Sequence, residues 1–228
     1  HRLHPSIVVW DIHEMPNNAW AGGADDHSAK QGDWGTRLAA AYRAYREWLP
    51  VRESPDREIR LYRSFRAGDL ADLMMLDTRG VRDRQVTQAT AGELGDPART
   101  LLGPTQETWL FDQLRMSERR GAGCRLLGQQ VLFAPLTPVG PPLSADLWDG
   151  YPAARARVTA FLARERIGDV AILTGDLHSS WAIDVSANPW ARSGSEAGRP
   201  LAVELLTPAI SSPPLFTDAT LKQRAPLL

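Results

Sequence analysis

Two periods govern the apolar positions along the chain. Residues 6–10 (SIVVW) form an unbroken β-branched run, the pattern of a central strand covered on both faces. Residues 17–34 are rich in Gly, Asn and Asp and follow neither period, which predicts a long loop. From residue 36 to 48, Leu38, Ala41, Tyr42 and Tyr45 recur at helical spacing, and Pro50 ends the run. Ile59, Leu61, Arg63 and Phe65 alternate with charged or polar neighbours, and the buried-looking DLMMLD (72–77) follows, so a hairpin is expected.

Pro104 opens a second helical segment carrying Trp109, Leu110 and Leu114, closed near Gly121. Residues 124–136 (CRLLGQQVLFAPL) again read as strand, and TPVGPPLS (137–144) as a Pro-rich loop. A third amphipathic helix over 152–166 presents Ala154, Val158, Phe161 and Leu162. Beyond Gly168 come the strand-like DVAILTGDLHSSW and LAVELLTPA. Strand pairs in the first half and alternating strands and helices in the second predict an α/β fold with a mixed sheet or two stacked sheets. We expect one domain over 1–228.

Composition narrows the function classes. The formal net charge is -1, so no basic surface advertises nucleic acid or an anionic membrane, and no run approaches the ~18 apolar residues of a membrane span. A single cysteine, Cys124, excludes an intrachain disulfide framework and a Cys-rich metal site, and its place at a strand start suits packing. The eight tryptophans are expected mainly in the core. The chain starts at His1 without a signal-peptide pattern, as a processed or truncated chain would.

Two apolar runs end alike: residues 7–10 lead into Asp11 and His13, and residues 170–173 lead into Asp176 and His178. In α/β sheets, side chains beyond the carboxyl ends of strands converge on one crevice. Carboxylate oxygen, imidazole nitrogen and amide oxygen from Asn17 or Asn18 are a ligand mix for Zn, Mn, Fe or Ca. The same Asp-x-His pattern equally describes a turn acid followed by a hydrogen-bonded histidine, and spacing alone leaves the two readings level. Ser179 and Ser180 lack a G-x-S-x-G elbow and read as loop hydrogen-bonders; Asp25, Asp26 and His27 read as a solvated turn.

Six blocks in order, VVWDIHEMPNNAW, LADLMMLDTRGVRDRQ, RTLLGPTQETWLFDQL, GQQVLFAPL, WDGYPAAR and ILTGDLHSSWAIDV, resemble the PhoD-like alkaline phosphatase/phosphodiesterase family of calcineurin-like metallophosphoesterases. That resemblance implies a two-sheet sandwich flanked by helices, with a metal site at the strand ends. It further implies Ca and Fe as metals, a small phosphoester substrate and an extracytoplasmic location. By the same resemblance Asp176, His178 and Asn17 are metal ligands, with Asp11 as a substitute ligand. His13 is then the acid that protonates the leaving oxygen, and Asn18 and Glu14 lie on the substrate side.

Two departures stand out. The family element reads Trp-Asp-Asp-His-Glu, and here Ile12 replaces the second acid, removing an oxygen ligand. The family's upstream part, which donates further ligands and the first strands of the sheet, has no counterpart in this sequence. The rival expectation is a non-catalytic relative that keeps the fold as a binding domain, with Ile12 as the trace of lost metal chemistry.

Overall fold

In the computed structural model, residues 3–4, 6–51, 60–86, 91–136, 142, 144–190 and 199–213 are described. Strands β1 (Arg63–Ala67), β2 (Ala71–Met75), β3 (Cys124–Gln129), β4 (Val170–Thr174), β5 (Trp181–Val185) and β6 (Ala202–Leu206) form one sheet in the order β1-β2-β3-β4-β6-β5. The middle of the sheet, β2-β3-β4-β6, is parallel, and each edge strand runs antiparallel to its neighbour. The helices are α1 (Trp34–Trp48), α2 (Ala91–Leu94), α3 (Gly103–Arg120) and α4 (Pro152–Glu165).

Successive crossovers of one hand that step in one direction across a sheet place their helices on the same face. The connections β2-α3-β3 and β3-α4-β4 do so. Leu110 and Leu114 of α3 join Val158, Phe161 and Leu162 of α4 over Met74, Leu127, Ile172 and Leu206 of the sheet. Phe111 and Phe161 stack with centroids 4.1 Å apart, fastening one helix to the other. Strand side chains alternate between faces, so the opposite face carries Leu73, Leu126, Ala171, Leu173, Val203 and Leu205, half-buried or exposed.

The mixed α/β class expected from the sequence is the one the chain adopts, and all described strands lie in one sheet, so the sandwich's second sheet is not among them. The helix predicted over 36–48 begins two residues earlier because Asp33 caps it, accepting from the Thr36 N–H at 2.8 Å. The hairpin is present as β1 and β2, with Arg66 opposite Asp72; Ile59 and most of the Pro-rich loop lie outside the described residues. Trp10 and Trp148 are buried in the core as expected, whereas Trp48 and Trp190 are exposed.

Residues 6–10 are the correction: they belong to none of the described strands. Trp10 is instead enclosed with Tyr42 and Tyr45 of α1, its ring 4.3 Å from that of Tyr42. Side chains take the place of a sheet ladder there, with Gln130 donating to the Trp10 carbonyl at 2.8 Å and Arg63 donating to the Val8 carbonyl. A helix over an apolar run leaves the same sequence signature as two neighbouring strands, which is why the pattern misled.

Candidate functional site

The parallel strands deliver their following residues to one end of the sheet. After β2 the chain turns through Asp77, Thr78, Arg79 and Gly80, and buried polar side chains fix that turn. Gln106 accepts from the Asp77 N–H at 2.8 Å and donates to the Asp77 carbonyl at 2.8 Å. Gln130, just past β3, accepts from Thr78 and donates to the Leu76 and Trp10 carbonyls. Asp77 itself accepts from the Trp10 indole and from the Arg79 and Gly80 amides. Glycine suits position 80 on packing grounds, because a Cβ there would lie 2.5 Å from the Tyr42 hydroxyl and force it to shift.

The result is a fully buried Arg79 side chain aimed at three carboxylates from distant segments. Arg79 Nε donates to Asp11 Oδ1 at 2.7 Å, Nη1 to Asp146 Oδ2 at 2.5 Å and Nη2 to Asp176 Oδ1 at 3.4 Å. Arg82, equally buried, donates to Asp146 Oδ1 at 2.6 Å and to the Ala19 carbonyl at 2.9 Å. Gln85 adds a 2.9 Å bond to the same Asp146 oxygen. Three carboxylates thus face two guanidinium groups, and Asp176 holds the longest contact.

Electrostatics follow that arithmetic. Burial alone would raise the Asp146 carboxyl, but Arg79 and Arg82 hold it down at about 2. Asp176 goes the other way: burial first, and then the charge of Asp11, push it up to about 7 against the pull of Arg79. Burial opposes the charged form of Arg79, and Asp146, Asp11 and Asp176 together more than offset it, so its pKa rises.

Asp11, Ile12, His13, Asn18, Asp146, Asp176 and His178 line a cleft of about 270 Å³. Its wall shows carboxylates to the interior of the cleft while the arginine charges stand behind them. His178 Nδ1 lies 2.8 Å from the Pro213 carbonyl. A carbonyl only accepts, so Nδ1 carries a proton, which leaves Nε2 as the nitrogen able to ligate. Both Asp176 (φ 62°) and His178 (φ 52°) adopt left-handed backbone, the sharp turn that sets them side by side after β4.

The structure therefore gathers Asp11, His13, Asn18, Asp176 and His178 from the residues singled out in the sequence. Asn18 reaches the cleft wall with its amide donating to Asp25 at 2.9 Å, and His13 is exposed at the rim. Asn17 is exposed and Glu14 accepts from the Asp11 N–H at 2.8 Å; neither is a lining residue. Asp25 and Asp26 are exposed, as a solvated turn should be, and Ser179 bonds locally to the Leu177 carbonyl and the Trp181 indole. Arg79, Arg82 and Asp146 were not foreseen. The charged run TRGVRDRQ directly behind a buried strand was the available signal for the arginines; Asp146 left none.

Among the described residues no group of three or more His, Cys, Asp or Glu is arranged to hold a metal ion. Asp176 and His178 nevertheless fit one as a pair: an under-compensated carboxylate beside an imidazole whose far nitrogen is fixed by a backbone carbonyl, the usual support of a ligating histidine. No described helix is long and apolar enough to cross a membrane.

A sequence model of the PhoD-like phosphatase family matches residues 1–226. Alkaline phosphatase D of Bacillus subtilis (strain 168) is 41% identical over 194 residues, covering 80% of this chain and 32% of that protein. A solved structure, "Structure of PhoD", superposes with a TM-score of 0.79 at 35% identity, covering 90% of this chain and 40% of that one. The chain thus spans well under half the length of the relatives it matches.

Proposed function

Because the chain belongs to the PhoD-like phosphatase family, we propose that it hydrolyses phosphoesters in the cleft of Asp11, Asp146 and Asp176, as one part of a larger catalytic domain. The observation that carries this reading is the Asp176–His178 pair, placed after β4 where an α/β sheet collects ligands. A phosphate entering here meets a carboxylate wall, since Arg79 and Arg82 are buried behind it. That repulsion would be offset by a cation held on the wall.

Asp176 and His178 would hold such a cation, with Asp11 lining the same cleft. Bound metal supplies an activated water and neutralises the phosphoryl oxygens. The remaining work belongs to the chain. In this reading His13, exposed at the rim, would hand a proton to the departing oxygen, and Asn18, on the cleft wall, would offer a polar edge to the substrate. Glu14 holds the Asp11 amide and so steadies the first turn of the wall. Calcium and iron are the metals we assign from family resemblance, and oxygen and nitrogen donors suit both. An extracytoplasmic setting belongs to the same reading.

Elemental analysis of the purified chain after equilibration with Ca, Fe and Mn tests the proposal. We expect bound metal that His178→Ala removes, and turnover of p-nitrophenyl phosphate or bis-p-nitrophenyl phosphate that falls with it. Metal content at background in the unmodified chain would instead favour the non-catalytic relative, which Ile12 at the cleft wall makes the specific rival.

A further inference from the structure

We propose that Arg79 is a built-in counter-cation: it positions the three-carboxylate cluster and withholds Asp11 and Asp146 from metal, confining cation binding to the Asp176–His178 side. The inference rests on the hydrolytic reading of this cleft but concerns a residue that does not face it.

The geometry is that of a cation site filled from within. Three carboxylate oxygens converge at 2.5 to 3.4 Å on one guanidinium, Asp11 spanning Nε and Nη2, Asp146 on Nη1 and Asp176 on Nη2. Convergent carboxylates are what a hard divalent cation would seek. A planar fork with five N–H donors can serve three partners in separate directions, which an ammonium cannot. The turn beneath Arg79 is held by Asp77, Gln106 and Gln130, so the side chain is aimed by the fold and the carboxylates assemble around it. Asp146 accepts from Arg79 on one oxygen and from Arg82 and Gln85 on the other, so three of its four lone pairs are taken by protein donors. Asp176, at 3.4 Å, remains available.

Removing the guanidinium should therefore open a second cation site. The test is Mn²⁺ stoichiometry by equilibrium dialysis with electron paramagnetic resonance, on the unmodified chain and on Arg79→Gln. We expect one additional Mn²⁺ per chain in Arg79→Gln, lost again when Asp146→Asn is added. Thermal unfolding in chelator should fall by roughly 10 °C in the single variant, as for a broken buried ion pair, and Mn²⁺ should restore much of it. An unchanged stoichiometry in a folded Arg79→Gln overturns the proposal. Where Arg79→Gln does not fold, Arg79→Lys is taken through a double-mutant cycle with Asp146→Asn; additive losses of stability overturn it and coupled losses support it. The two readings fail separately. No metal on the unmodified chain with a gain in Arg79→Gln sinks the metal-hydrolase reading alone, and metal on both in equal amount sinks this one alone.

Discussion

Replacing Asp176 by Asn keeps the shape of the side chain and removes its charge, which isolates the electrostatic tension in the cleft. Burial, and then the charge of Asp11, push the Asp176 carboxyl up from the ordinary 3.8 to about 7. A carboxyl whose folded pKa is raised binds its proton more tightly in the native state. Stability is therefore greatest below the unfolded value and is lost as pH rises from about 4 through about 7. Three pKa units at 1.36 kcal/mol each set an upper bound of about 4 kcal/mol. For a chain of this size that corresponds to roughly 10 °C in Tm.

The assay is thermal unfolding in chelator at pH 5 and pH 8. About two of the three units fall between those pH values, so unmodified protein should lose more Tm than Asp176→Asn by roughly 5–10 °C. With Mn²⁺ present the difference should shrink, because a bound cation keeps the carboxylate ionised. Parallel pH profiles for the two proteins in chelator would refute the reasoning, since they would show that Asp176 is ionised at no cost.

Ile12→Asp adds a carboxylate to the cleft wall, and we expect higher metal occupancy by elemental analysis, together with lower stability in chelator at pH 8. Gly80→Ala places a methyl 2.5 Å from the Tyr42 hydroxyl and 2.9 Å from Asp77 Oδ2. It should cost about 1–3 kcal/mol by chemical denaturation, and an unmoved midpoint would show that the turn beneath Arg79 is looser than its contacts indicate.

Much of the scaffold was legible because its elements repeat a clear period. Helix α4 declares itself through Ala154, Val158, Phe161 and Leu162, and β4 through an apolar run of strand length. The Asp176–His178 pair could be found because it follows that run directly. Strand β5 was missed: it is a five-residue edge strand, and the apolar Ala182 between Trp181 and Ile183 masks an alternation that the fold does show. Residues 6–10 were misplaced because burial by a helix and burial by strands select the same residues. Arg79 and Asp146 escaped for a different reason. Their meaning lies in a contact between positions 67 residues apart, and neither has a sequence neighbour that hints at the other.

The Arg79 junction also bears on how the molecule reaches its native state. Its three carboxylate contacts close chain separations of 68, 67 and 97 residues. The parallel neighbours β2, β3 and β4 must likewise meet across whole helical crossovers. Loop-closure entropy is met before such distant contacts reward it, so topology of this kind folds slowly. The local hairpin of β1 and β2 and the helices can form early, whereas the cleft closes only once all three segments are in place. A chain with its carboxylates gathered on Arg79 has already brought residues 11, 79, 146 and 176 together.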